Sequence, residues 1–191
     1  MPDQTIALLG VIGGIVGFSV GLWQYYKAQR WKVLEFVARE VKEFEQQPAV
    51  ANAMLMLDYE GMDIELFPNA EKTKDRYIAV DEDLIVKALV VRQDRGFTDV
   101  EVAIRDTFDE FFGYLERFDQ YIVSGLVRYK DFHPYLRYWL GILAEGRSGL
   151  KSPQLVTAVG EFLSAFEYRG VLRLFDRYRS HEARVGARAG S

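Results

Sequence analysis

Nineteen consecutive residues, 5–23 (TIALLGVIGGIVGFSVGLW), carry no charge. As a helix rising 1.5 Å per residue they would reach about 29 Å, the thickness of the hydrocarbon layer of a bilayer. The stretch therefore predicts an uncleaved transmembrane helix. A removable signal peptide would need a basic leader, a shorter apolar core and small residues at a cleavage site; here only Asp3 precedes the run and Gln24-Tyr25-Tyr26 follows it. Lys27, Arg30 and Lys32 lie just beyond the run, and the positive-inside bias places that end in the cytoplasm. Trp23, Tyr25, Tyr26 and Trp31 stand at the same end, where amphipathic rings favour the headgroup layer. The expectation is a single-pass protein of the bacterial inner (plasma) membrane, with residues 1–4 outside and the C-terminal domain cytoplasmic.

Within the run, Gly13, Gly17 and Gly21 repeat every four residues and Gly10 and Gly14 form a second pair beside them. One face of the helix is left as bare backbone, the arrangement that lets two helices approach closely. These glycines are the expected helix-packing site. Glycine is also common in membrane helices for no such reason.

Beyond the run, Leu34, Val37, Ala38, Val41 and Phe44 recur at helical intervals until Pro48, which predicts a juxtamembrane or stalk helix over 24–47. Residues 48–178 are expected to form a cytoplasmic helical bundle. Pro48 starts a second helix, and the aperiodic stretch after residue 60 reads as a long loop with a short extended piece at 63–67. Asp81 caps a third helix, with Glu82 and Asp83 compensating its dipole. Thr98 and Glu101 make a capping box opening a helix to about Val127, whose Ile104, Phe108, Phe111, Leu115, Phe118 and Ile122 are spaced 4-3-4-3-4 as a packing seam. Residues 132–145 give an aromatic helix, Ser152-Pro153 starts another, and Gly170 separates it from a short helix over 171–178. Residues 179–191 read as a flexible basic tail. The fold class is all-α.

Charge is uneven. Residues 33–168 hold fifteen basic and twenty-five acidic side chains, whereas 1–32 carry a net +2 and 169–191 a net +4. An acidic body does not suit nucleic acid, whose phosphates require clustered cations. The basic tail, with Arg177, Arg179, Arg184 and Arg188, fits contact with anionic lipid or a neighbour's acidic body, or a solvated terminus.

The chain has no Cys and two His, His133 and His181. Thiolate nucleophiles and Cys-based metal centres are excluded. Neither His lies in H-E-x-x-H or three residues after a Glu, and the glycine run lacks both nucleotide-binding patterns, so neither a metal ligand set nor a cofactor is expected. Asp131-Phe132-His133 places a titratable ring near a carboxylate, but Asp131 is better read as the cap of a helix begun by Pro134. Asp106, Asp109, Glu110 and Glu116 fall outside the seam and read as a solvated face. The aromatic run from Phe111 and Phe112 through Tyr114, Tyr121, Tyr129, Tyr135, Tyr138 and Trp139 is of core type, with a surplus of Tyr available to a protein-binding surface.

MLMLDYEGMDIELF (54–67) and LERFDQYIVSGLV…PYLRYWL (115–140), behind an N-terminal apolar run, resemble bacterial single-span membrane proteins of a helical domain family of unknown function. The resemblance implies a fold and topology and no activity. Together these readings predict a non-catalytic, membrane-anchored assembly or accessory protein, a homo-oligomer or the partner of another membrane subunit. The alternative is an effector whose bundle senses a ligand or partner.

Overall fold

The computed structural model describes the backbone of residues 2–92, 96–146 and 151–189, and the side chains of these except 2–13, 15, 188 and 189. The chain divides into two compact units, Met1–Glu40 and Val41–Ser191. The first is most of helix α1 (Pro2–Gln46). In it every described residue over 16–32 is exposed, and burial begins at Val37.

The second unit holds the end of α1, then α2 (Pro48–Asp58), α3 (Glu82–Leu89), α4 (Asp99–Val123), α5 (Tyr129–Glu145), α6 (Pro153–Ala165) and α7 (Arg169–Ala189). The described residues are mostly helical, as the all-α reading requires. Pro48 stands at the start of α2, where its missing N–H costs nothing. The Asp81 carboxylate accepts the N–H of Leu84 at 2.8 Å. Thr98 and Glu101 exchange bonds as a complete capping box, and Ser152 caps α6 through the N–H of Leu155. Gly146 ends α5 in the left-handed region at φ 62°, where a Cβ would come within 3.1 Å of the Lys151 carbonyl.

The long α4 is the centre of the core. All six seam residues, Ile104 to Ile122, are buried, and Phe108, Phe111, Phe112 and Phe118 are fully enclosed. Phe44 packs its ring 5.3–5.6 Å from Phe118 and Phe111, and Phe132 of α5 stacks on Phe118 at 4.6 Å. Such offset and tilted pairs add about 0.5–1.5 kcal/mol each beyond the area they bury.

Four expectations are corrected. Among the described residues, no helix is long and apolar enough to cross a membrane, which overturns the single-pass inner-membrane topology with its outside N-terminus and cytoplasmic domain. The loop after α2 contains a hairpin, β1 (Met62–Glu65) against β2 (Tyr77–Val80), antiparallel with Met62 opposite Val80 and Glu65 opposite Tyr77. Helix α5 begins at Tyr129, not Pro134; Asp131 reaches back to accept the N–H of Arg128 at 3.1 Å, and Pro134 lies inside the helix. Finally, α7 does not stop near Tyr178 but runs to Ala189, so most of the expected flexible tail is helical.

Candidate functional site

The residues singled out on α1 are placed as follows. Gly10 and Gly13 fall where side-chain positions lie outside the described residues. Gly14, Gly17 and Gly21 are open: a Cβ at any of them meets nothing within 4 Å. Trp23, Tyr25, Tyr26 and Trp31 are all more than half exposed. Tyr25 and Tyr26 meet edge to face at 6.0 Å, and the Lys27 ammonium lies 5.1 Å over the Trp23 ring. Lys27, Arg30 and Lys32 are exposed beside them. Their assignment to a headgroup layer falls with the membrane topology.

A second constellation escaped the sequence reading altogether. Residues 179–189, expected to be a loose tail, continue α7 along α5 and carry His181 and Glu182 to His133. The two histidines are the chain's whole supply, and their rings lie 4.1 Å apart. His133 Nε2 is 3.2 Å from Glu182 Oε1, and His181 Nδ1 is 3.6 Å from the same oxygen. One candidate ligand atom from each of the three residues falls within 4.8 Å of the others. Arg137, one turn along α5 from His133, donates to both oxygens of Glu182, most closely through Nη2 to Oε2 at 2.6 Å.

Tyr129 closes the cluster, its ring 5.4 Å from that of His133 and 5.9 Å from that of His181. The Tyr129 hydroxyl and His181 Nδ1 are both buried without a hydrogen-bond partner. Burial, then the neighbouring Glu182 charge, pushes the Tyr129 phenol well above its ordinary range, so it stays protonated. Burial also holds His133 below the ordinary imidazole value, against the opposing pull of Glu182. Hydrogen bonds from Arg137 above all hold Glu182 below the usual carboxylate range. At neutral pH the cluster thus presents a neutral imidazole at His133, an ionised carboxylate and a capping guanidinium. Asp131, the carboxylate nearest His133 in sequence, is committed to the start of α5.

Of the α4 carboxylates read as a solvated face, Asp106, Asp109 and Glu110 are exposed and Glu116 is half-buried. Glu116 accepts the N–H groups of Gly170 and Val171 at 2.7 and 3.1 Å, which caps the positive end of α7. Asp109 takes the hydroxyl of Tyr168. Asp119, fully buried, pairs with Arg173 at 2.6 Å and Arg177 at 3.5 Å. Two basic residues that follow residue 168 therefore meet the acidic body of their own chain.

No protein-family model, curated protein or solved structure matches the chain. Its function has to be read from its own geometry.

Proposed function

We propose that this chain is a non-catalytic assembly protein that associates through α1, with the α1 of a second copy as the partner. One observation carries the reading: between Val16 and Leu34 nine large apolar or aromatic side chains are exposed on one helix, Phe18, Trp23, Tyr26 and Trp31 each above 60%. Contiguous exposed apolar surface beyond a few hundred Å² is uncommon on monomers and marks a contact face. The aromatic content suits such a face, since Tyr and Trp supply much contact area for little lost side-chain entropy. Gly14, Gly17 and Gly21 offer the flat strip along which a second helix approaches. The other reading, an effector with a ligand-sensing bundle, has the paired histidines in its favour.

The test is the native mass of the full chain by light scattering, with Gly17→Ile as the probe. A Cβ at position 17 meets nothing within 4 Å, so the substitution acts on association. A multimer that Gly17→Ile weakens at least about tenfold is expected, a loss of about 1.4 kcal/mol. A wild-type monomer would overturn the proposal, as would a multimer indifferent to Gly17→Ile, or partition into anionic lipid vesicles without self-association.

A further inference from the structure

We propose that His133, His181 and Glu182 form a binding site for a zinc-type divalent transition metal, which staples α7 to α5. The donor set is two imidazoles and one carboxylate, the combination that first-row divalent ions take in three-ligand protein sites. The geometry is close to what such an ion imposes. With metal–nitrogen and metal–oxygen bonds of about 2.0–2.2 Å, tetrahedral ligand atoms stand about 3.3 Å apart. The two histidine-to-carboxylate separations, 3.2 and 3.6 Å, bracket that value. With all three candidate atoms within 4.8 Å of one another, what remains to close is of the order of an ångström between the two rings.

The hydrogen-bond pattern at the cluster has an unspent valence that a cation would use. Glu182 Oε1 already faces His133 Nε2 and Arg137 Nε at 3.2 Å each. His181 Nδ1 is left buried with no hydrogen bond, although buried polar atoms in folded proteins nearly always have one. An ion at the centroid of the three donor atoms gives that nitrogen a partner. The buried hydroxyl of Tyr129, whose ring lies beside both histidines, also lacks one. Arg137 does not exclude the ion. Its shortest bond goes to Oε2, while both histidines converge on Oε1. The guanidinium side chain is 58% exposed and free to give up its one bond to Oε1 while holding the carboxylate from outside through Oε2, as orienting partners of metal ligands do.

Position in the fold gives the site a consequence. The last buried apolar residue of α7 is Tyr178, so beyond it the helix is held to α5 by the polar contacts of Arg179 and this cluster. An ion that binds only the docked helix stabilises docking by mass action.

The experiment uses the untagged full chain. Zn²⁺ titration by calorimetry, and Co²⁺ titration followed by the visible absorption of a tetrahedral site, are each expected to show one equivalent bound. Zn²⁺ is expected to raise the unfolding temperature. Glu182→Gln, which keeps shape and exposure, and His181→Ala should each lower the affinity at least about tenfold and remove the thermal shift. Circular dichroism establishes that both variants fold. Absence of stoichiometric Zn²⁺ and Co²⁺ binding by the wild-type chain would overturn the proposal. So would binding whose affinity is the same in the His133→Ala/His181→Ala double variant, since it would lie elsewhere.

Discussion

Replacing Gly170 by Ala should destabilise the protein, and the same replacement should stabilise it once Glu116 has been removed. A Cβ at residue 170 would stand 2.7–2.8 Å from the carboxylate atoms of Glu116, too close for any real contact. Gly170 has no positive φ, so the backbone itself accepts alanine. In such a position Gly→Ala gains about 0.4–1 kcal/mol by restricting the unfolded chain. Against this, Glu116 must move, and it loses two charge-assisted bonds to the first N–H groups of α7, at 2.7 and 3.1 Å. Bonds to charged groups contribute about 1.5–3 kcal/mol, and Glu116 is only half-buried, so the lower half of that range applies to the pair. The net expectation is about 1 kcal/mol of destabilisation. In a Glu116→Ala background no carboxylate remains to be displaced, and Gly170→Ala should then stabilise by about 0.5 kcal/mol. Urea unfolding of the four proteins, followed by far-ultraviolet circular dichroism, closes the double-mutant cycle. A coupling near zero would refute the reasoning, because the cost at position 170 would then have nothing to do with the cap.

Three further outcomes follow from other sites. Arg173→Met leaves the fully buried Asp119 with only Arg177 at 3.5 Å and should cost about 3 kcal/mol, more than Asp119→Asn, which neutralises the buried charge; equal costs in urea unfolding would contradict this. Arg105 donates to the carbonyls of Ala88 and Val90 at 2.6 and 2.7 Å while its guanidinium lies 4.2 Å over Phe97, so Arg105→Lys, which keeps the charge but loses the planar fork, should cost about 1–2 kcal/mol by the same assay. In chelator, stability should fall in two stages on acidification. His133 sits below its ordinary value of 6.5, so the unfolded chain binds the extra proton and stability declines as pH drops below 6.5 towards the folded value. Glu182, held below 4.5, withdraws its share only as pH falls below 4.5 through its own folded value. Urea midpoints measured against pH check this, and His133→Gln should flatten the upper stage.

What could be read from the sequence was what neighbours along the chain decide. Pro48, Asp81, Thr98 with Glu101, and Ser152 mark helix starts because capping is settled within four residues. The 4-3-4-3-4 spacing from Ile104 to Ile122 identified the buried seam because a helix brings those positions to one face whatever lies opposite. That spacing misled only about the rest of α4. A single seam leaves the other positions to solvent, but α4 packs against α2, α3 and α7, so Glu116 and Asp119 meet α7 and hold it. The hairpin escaped because each strand has four residues, and residues 66–76 between them contain no tight-turn dipeptide.

The extent of α7 and the histidine cluster were missed for one shared reason. The apolar stripe Val171, Leu174, Phe175 and Tyr178 ends where the sequence reading ended the helix, and hydrophobic period is silent about residues held by charge. Past Tyr178 the contacts are polar: Arg179 donates to the Ala144 carbonyl at 3.0 Å, and Glu182 meets His133 and Arg137. Each of these joins α7 to a residue of α5 at least 35 positions earlier, beyond the reach of any short motif. A search for ligand spacings within one helix finds neither histidine, because the spacing that counts is the distance between helices. That spacing exists only if α7 continues. The continuation in turn rests on the cluster, so the outer part of α7 and the site at its face stand or fall together. A ligand at His133, His181 and Glu182 would therefore act on the fold at a stretch of α7 that holds no buried apolar residue.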